Sequence, residues 1–209
     1  MNLYDFFLEA YKETPHFVIV LEAITFVFGI ASVYFAKKEN ILVYPTGLIA
    51  TTITAYLFFR TQYIGDLLVN IYYSVMSLYG WYMWARKNNG RHVVMISRTN
   101  AREKLTGIGV FLFTIVVIFA IYKIFLPQIG TDNYIDMFIS GLFFTAMWYM
   151  AIKKIENWTL WIIGDMIAVP LYAYRGYGIL SLEYVVFTIL AILAYLEWRK
   201  TLSNKLQIP

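Results

Sequence analysis

Seven blocks of mainly apolar residues recur along the chain, separated by short charged or polar stretches. They fall at approximately 17–36, 41–59, 66–85, 105–126, 134–152, 157–174 and 180–198. A hydrocarbon core about 30 Å thick is crossed by ~20 helical residues, so each block predicts one transmembrane helix. Pro15 and Pro127 stand at the start of the first block and the end of the fourth, as helix punctuation. Pro45 and Pro170 lie inside blocks, where membrane helices tolerate proline if neighbours satisfy the freed carbonyl. Asp66 opens the third block, where an acid complements the helix dipole, and is expected to act as a cap.

Composition strengthens this reading. Of the 209 residues, 60% are hydrophobic and 14% charged, against about 25% charged in a soluble domain. The chain has no cysteine, which excludes disulfides, thiolate metal sites and cysteine nucleophiles. His16 and His92 both lie in flanks, so no histidine metal site or triad is expected. No phosphate-binding glycine loop is present, and the last block has no lysine for a retinal Schiff base. Neither a cofactor nor a metal is expected. The first sixteen residues lack a basic segment followed by an apolar one, so no cleavable signal peptide is expected.

The net charge of +4 is a topology signal rather than a nucleic-acid footprint, because Lys and Arg concentrate in alternate loops. With the N-terminus outside, thirteen of the 17 basic residues fall on the inner side, in segments such as Arg86–Lys104. The positive-inside rule then predicts a multi-pass inner-membrane protein with its N-terminus out and its C-terminus in the cytoplasm.

Two stretches resemble each other. Lys37-Lys38-Glu39-Asn40 precedes the second block and Lys153-Lys154-Ile155-Glu156-Asn157 the sixth; Gly47 and Gly164 then stand at matching distances past Asn40 and Asn157, followed by Tyr56 and Tyr172. Trp84-Ala85-Arg86-Lys87 closes the third block and Trp198-Arg199-Lys200 the seventh. Aromatic belts and basic flanks make all membrane helices look alike at their ends, but the shared Lys-Lys…Glu-Asn opening favours a true repeat. The expected plan is an outer flank (1–16), a three-helix unit (17–85), a basic inner loop (86–104), a linker helix (105–126), a second three-helix unit (134–198) and an inner tail (199–209). Such parallel repeats place a substrate site between the halves near mid-membrane.

Charges at bilayer depth are expensive and mark function. Asp165 lies mid-block, and Trp158, Trp161 and Asp165 fall on about one helix face. Two indoles with a carboxylate suit a flat cationic ring through stacking and cation–π attraction. Interface anchoring is an equally good reading for Trp158, but Trp161 and Asp165 are too deep for it. In the third block, Asn70, Tyr73, Ser74 and Ser77 share about one face; small polar residues often glue membrane helices, whereas a buried amide such as Asn70 must find partners. Asn70, Tyr73 and Ser77 join the candidate substrate-binding set. Glu22 and Glu183 are each equally well read as packing residues.

The run from Glu156 to Asp165, with Leu171-Tyr172-Ala-Tyr174, Ser181-Leu-Glu183-Tyr184, Tyr44-Pro45-Thr46-Gly47-Leu48 and Tyr79-Gly80-Trp81-Tyr82-Met83-Trp84, resembles the PnuC nicotinamide riboside transporters over essentially the whole chain. The resemblance implies an all-α membrane protein of seven transmembrane helices as 3+1+3 parallel repeats, related to SWEET carriers and assembled as a homotrimer. It further implies facilitated diffusion of a vitamin, with trapping by a cytosolic vitamin kinase that feeds NAD synthesis. It places substrate contacts on Trp158, Trp161 and Asp165, and on Asn70 where relatives often carry Gln. Nicotinamide riboside members usually have Asn at the place of Asp165 and thiamine-carrying PnuT relatives can have Asp, so both substrates stay open. A membrane enzyme would need convergent acid, base or metal groups, and the sequence offers no such cluster. A SWEET sugar carrier would need a Pro-Gln pair in each repeat, whereas Pro127-Gln128 lies in a loop.

Overall fold

The computed structural model describes residues 14–61, 64–88, 91–125 and 128–205. Seven helices form within them: α1 (His16–Lys37), α2 (Val43–Thr61), α3 (Ile64–Ala85), α4 (Ala101–Phe125), α5 (Thr131–Ala151), α6 (Glu156–Tyr174) and α7 (Gly178–Lys205). A two-residue hairpin, β1 (Lys87–Asn88) with β2 (Arg91–His92), interrupts the loop before α4. The helices match the apolar blocks, although α7 runs well past the expected end. Pro15 caps α1 in extended backbone. Pro45 falls in the first turn of α2, where a missing N–H breaks no helical bond; only Pro170 is a true interior proline. Pro127 and the side chain of Asp66 lie outside what is described.

Four helices, α1, α4, α5 and α7, are long and apolar enough to cross a membrane. The other three are diluted by the threonines of α2, the serines and Asn70 of α3, and the acidic residues of α6. Six helices pack in a closed ring. Along it α1 touches α2, α2 touches α3, α3 touches α5, α5 touches α6, α6 touches α7, and α7 returns to α1. The fourth helix packs outside the ring, mainly on α5. Its start is fixed by a reciprocal cap: the Asn100 N–H donates to Glu103 Oε2 (2.8 Å) and the Glu103 N–H to Asn100 Oδ1 (2.9 Å).

The turns after α1 and α5 are built alike. Glu39 (φ 52) and Lys153 (φ 51) both adopt the left-handed conformation that ends a helix. The next amide then reaches back, from Asn40 to Phe35 O (2.9 Å) and from Lys154 to Tyr149 O (2.8 Å). Glu39 and Lys153 stand 114 positions apart and bond to each other. On this spacing Asn40 pairs with Lys154 and Gly47 with Trp161, three positions away from the match of Asn40 with Asn157 and Gly47 with Gly164 read from the sequence.

The same spacing recurs deeper in the bundle. Trp84 of α3 donates its indole N–H to Met150 O (3.2 Å), and Trp198 of α7 donates to Ala36 O (3.1 Å). Tyr44 meets Trp84 edge-on (5.2 Å, 87°), as Trp158 meets Trp198 (5.4 Å, 87°). These four rings centre the larger buried cluster, at the bundle end that carries the two turns. Gly80 is required there, because a Cβ on it would run into the Tyr44 ring.

Candidate functional site

Deeper in the ring, a second cluster joins α3, α5, α6 and α7. Its buried members are Ile139, Phe143, Ala168 and Leu171, with Tyr73, Trp161, Tyr172 and Tyr184 packed against them. Trp161 is tilted against Phe143 (5.0 Å, 31°) and Tyr73 (6.4 Å, 50°). Phe143 stacks on Tyr184 (6.2 Å, 11°), and Tyr184 on Tyr172 (5.1 Å, 11°). Gly164 admits the Phe143 ring to the α6 surface, since any side chain there would occupy the same space.

Asp165 lies one turn beyond Trp161 and is 3% exposed. No hydrogen bond reaches its carboxylate among the described residues, and the Trp161 indole N–H is buried without a partner. A carboxyl group, an indole N–H and aromatic faces from four helices therefore converge in this cluster. Such a set can hold a flat cation by stacking and charge, with a hydrogen-bond donor beside it.

The structure separates the candidate residues predicted from sequence. Trp161, Asp165 and Tyr73 come together. Asn70 lies one turn from Tyr73 on α3, where its carbonyl accepts the Ser74 hydroxyl (3.0 Å). Ser74 in turn shares a hydrogen bond with Thr51 of α2 (2.9 Å). Ser77 is 2% exposed and lies at the α2–α3 contact beside Gly47, away from Trp161. Trp158 belongs to the first cluster, edge-on to Trp198, and Trp161 packs against both clusters. The Trp158 N–H is buried and unpartnered. Glu22 Oε2 is buried without a hydrogen-bond partner. Phe143 was not singled out from sequence, Tyr172 entered through the repeat-like stretch and the family resemblance, and Tyr184 only through the resemblance. The available signal was Gly164, a gap opposite an aromatic in the neighbouring helix.

At the opposite end of the bundle Arg175, the C-cap of α6, donates to Asp132 Oδ2 through Nε (3.0 Å) and Nη2 (2.9 Å). Its Nη1 lies 3.9 Å from Asp136, which also accepts the Tyr122 hydroxyl. This network ties α4, α5 and α6 together. Among the described residues no group of three or more acidic or histidine side chains could hold a metal ion.

A ring of helices, several of membrane-spanning length, around a charged and aromatic interior defines a multi-pass membrane transporter. The chain belongs to the nicotinamide mononucleotide transporter family, which matches residues 19–200. It is 27% identical to the nicotinamide riboside transporter PnuC of Escherichia coli (strain K12), over 85% of this chain and 84% of that one. It is also 26% identical to the riboflavin/roseoflavin transporter RibM of Streptomyces davaonensis, over 59% of this chain and 58% of that one. The crystal structure of the vitamin B3 transporter PnuC shares its fold, with a TM-score of 0.68 at 20% identity, covering 98% of this chain and 99% of that one. The protein is a transporter, not an enzyme.

Proposed function

We propose that this protein carries nicotinamide riboside across the cell membrane by facilitated diffusion. One observation bears most of the weight: Asp165, almost wholly buried, has no hydrogen-bond partner among the described residues, one turn from the equally unpartnered Trp161 N–H. A carboxylate left alone at that depth is costly unless a cation pairs with it. The pyridinium of nicotinamide riboside supplies the cation and a flat face for Trp161, and its ribose supplies hydroxyls for Asn70 and Asp165. Tyr73, Phe143 and Tyr184 complete the aromatic lining. Trp158 and Ser77 sit nearer the basic end, along the way out.

All seven helices cross the membrane in this reading, with the N-terminus outside and the basic end in the cytoplasm, because thirteen of the 17 Lys and Arg residues lie on that side. Helices α1–α3 and α5–α7 are parallel repeats joined by α4, a SWEET-like 3+1+3 plan. The 114-residue spacing of matched turns, indole bonds and edge-on ring pairs supports it. In that register Gly47 and Thr51 of α2 stand where α6 carries Trp161 and Asp165, so one half presents the aromatic wall and the other leaves room. The halves then rock about the site to expose it to each side. A homotrimer, and a cytosolic vitamin kinase that traps the substrate and draws uptake inward, complete the proposal. The relatives named above carry nicotinamide riboside or riboflavin, and none of them favours thiamine.

Calorimetric titration of the purified protein with nicotinamide riboside, riboflavin and thiamine tests the assignment. Saturable heat with nicotinamide riboside and none with the other two is expected; binding of either other vitamin alone would reassign the substrate.

A further inference from the structure

Lys153 is 6% exposed, yet it is a lysine at the basic, water-facing end of the bundle. Two contacts hold it there, on a residue with left-handed backbone: its ammonium donates to Glu39 Oε2 (3.2 Å) and sits 4.3 Å from the centroid of the Trp84 ring. Glu39 closes α1 and Lys153 closes α5, so the pair bridges the two halves. Trp84 and Trp198 cross the same boundary in opposite directions, each donating to the carbonyl of a helix end in the other half. In this conformation the basic end is therefore shut by four side chains.

The two turns that meet here are not held alike. The segment after the hairpin crosses the bundle end and docks on the α5–α6 turn. Ser97 pairs with Lys154 as a parallel bridge, donating its N–H to Lys153 O (3.1 Å) and accepting from the Ile155 N–H (3.0 Å). The Thr99 N–H donates to Glu156 Oε2 (3.1 Å). Lys154 donates to Ser97 Oγ (3.0 Å) and pairs with Glu103 at 2.8 Å, which anchors the turn to α4 as well. Among the described residues the α1–α2 turn receives no hydrogen bond from this segment; besides Glu39–Lys153, its ion pair to the rest of the bundle, Lys38 with Glu197 at 3.8 Å, is exposed.

We infer that the Glu39–Lys153 pair, closed over by Trp84 and Trp198, is the inner gate of the transporter, and that residues 97–99 strap the α5–α6 turn so that the gate opens by movement of the α1–α2 side alone. The inference rests on the transport reading and orientation given above. A separating gate releases a desolvated ammonium and two indole N–H groups to water, so opening carries a modest cost and the gate rests shut. The strap gives the motion a fixed side and a moving side.

The chain's lack of cysteine makes a direct test available. In proteoliposomes, Glu39→Cys/Lys153→Cys joined by a short bifunctional thiol reagent should lose uptake of nicotinamide riboside, while the cross-linked protein still binds it in calorimetry. Ser97→Cys/Lys154→Cys, oxidised to a disulfide, should keep uptake within about threefold of its reduced form, because those residues do not separate. Undiminished uptake with 39 and 153 joined overturns the gate; uptake abolished by the 97–154 disulfide and restored by reductant overturns the fixed side. If the uncross-linked variants neither bind nor carry nicotinamide riboside, the substrate reading has failed and the gate is scored without it. Labelling of Ala36→Cys by a permeant maleimide should then rise at least roughly fivefold when Glu39→Gln or Lys153→Met is added, and an unchanged rate overturns the gate.

Discussion

The indoles of Trp84 and Trp198 lie 6.4 Å apart, and each donates its N–H across the interface to a helix-end carbonyl of the other half. Each of these carbonyls also accepts one local backbone N–H, Met150 O from Lys153 (3.0 Å) and Ala36 O from Glu39 (3.1 Å), so the indole adds a second bond that reaches across to the other half. Trp84→Phe and Trp198→Phe keep most of the ring packing and remove this bond. Each should lower stability by about 0.5–1.5 kcal/mol, the net worth of one hydrogen bond, because the carbonyl keeps its backbone donor. Thermal unfolding in detergent measures it. An unchanged midpoint in both variants would mean that the bonds do not hold the halves together.

At the other end, Arg175 and Asp132 are unequal partners despite their bidentate contact. Arg175 also faces Asp136, whose side chain is 17% exposed, whereas Asp132 is 36% exposed. Arg175→Met removes the cation beside Asp136 and should cost about 3 kcal/mol, at the low end for breaking a buried pair. Asp132→Asn breaks a half-solvated pair and should cost about 0–1 kcal/mol. The same unfolding measurement ranks them, and an equal effect of both substitutions would contradict the network described.

Gly164→Ala and Gly80→Ala separate packing from binding. Each Cβ meets an aromatic ring, Phe143 in one case and Tyr44 in the other, and each should destabilise by about 1–3 kcal/mol through overpacking. Only Gly164→Ala displaces a ring that touches Trp161, so only that variant should weaken vitamin binding in a titration of folded protein. Equal loss of binding in both would show that the Phe143 ring is not part of the site.

Charge and hydrogen bonding at Asp165 are separable too. Asp165→Asn keeps an acceptor of the same shape and should weaken binding of a cationic vitamin by roughly tenfold, the difference between a charged and a neutral hydrogen bond. Asp165→Leu removes both and should abolish measurable binding. Calorimetry on the two variants tests this; full affinity in the leucine variant would remove Asp165 from the site.

The helices were legible because lipid demands long apolar runs, and Trp161 with Asp165 was legible because a carboxylate and an indole at that depth are out of place in lipid. Trp158 lies about one helical turn nearer the basic end than Trp161, and its ring packs edge-on to Trp198 there. Phe143 was invisible because aromatic and aliphatic residues serve lipid contact, core and site alike. The likeness of the two turns was only partly visible in composition, since the left-handed residue that ends each helix is Glu39 in one and Lys153 in the other, two side chains with nothing in common.

Titration of Trp161→Ala with nicotinamide riboside probes the mid-bundle site most directly. The variant should fold and insert like the parent protein yet give no saturable heat, because the face on which the pyridinium stacks has gone. Parental affinity in that variant would place the vitamin elsewhere.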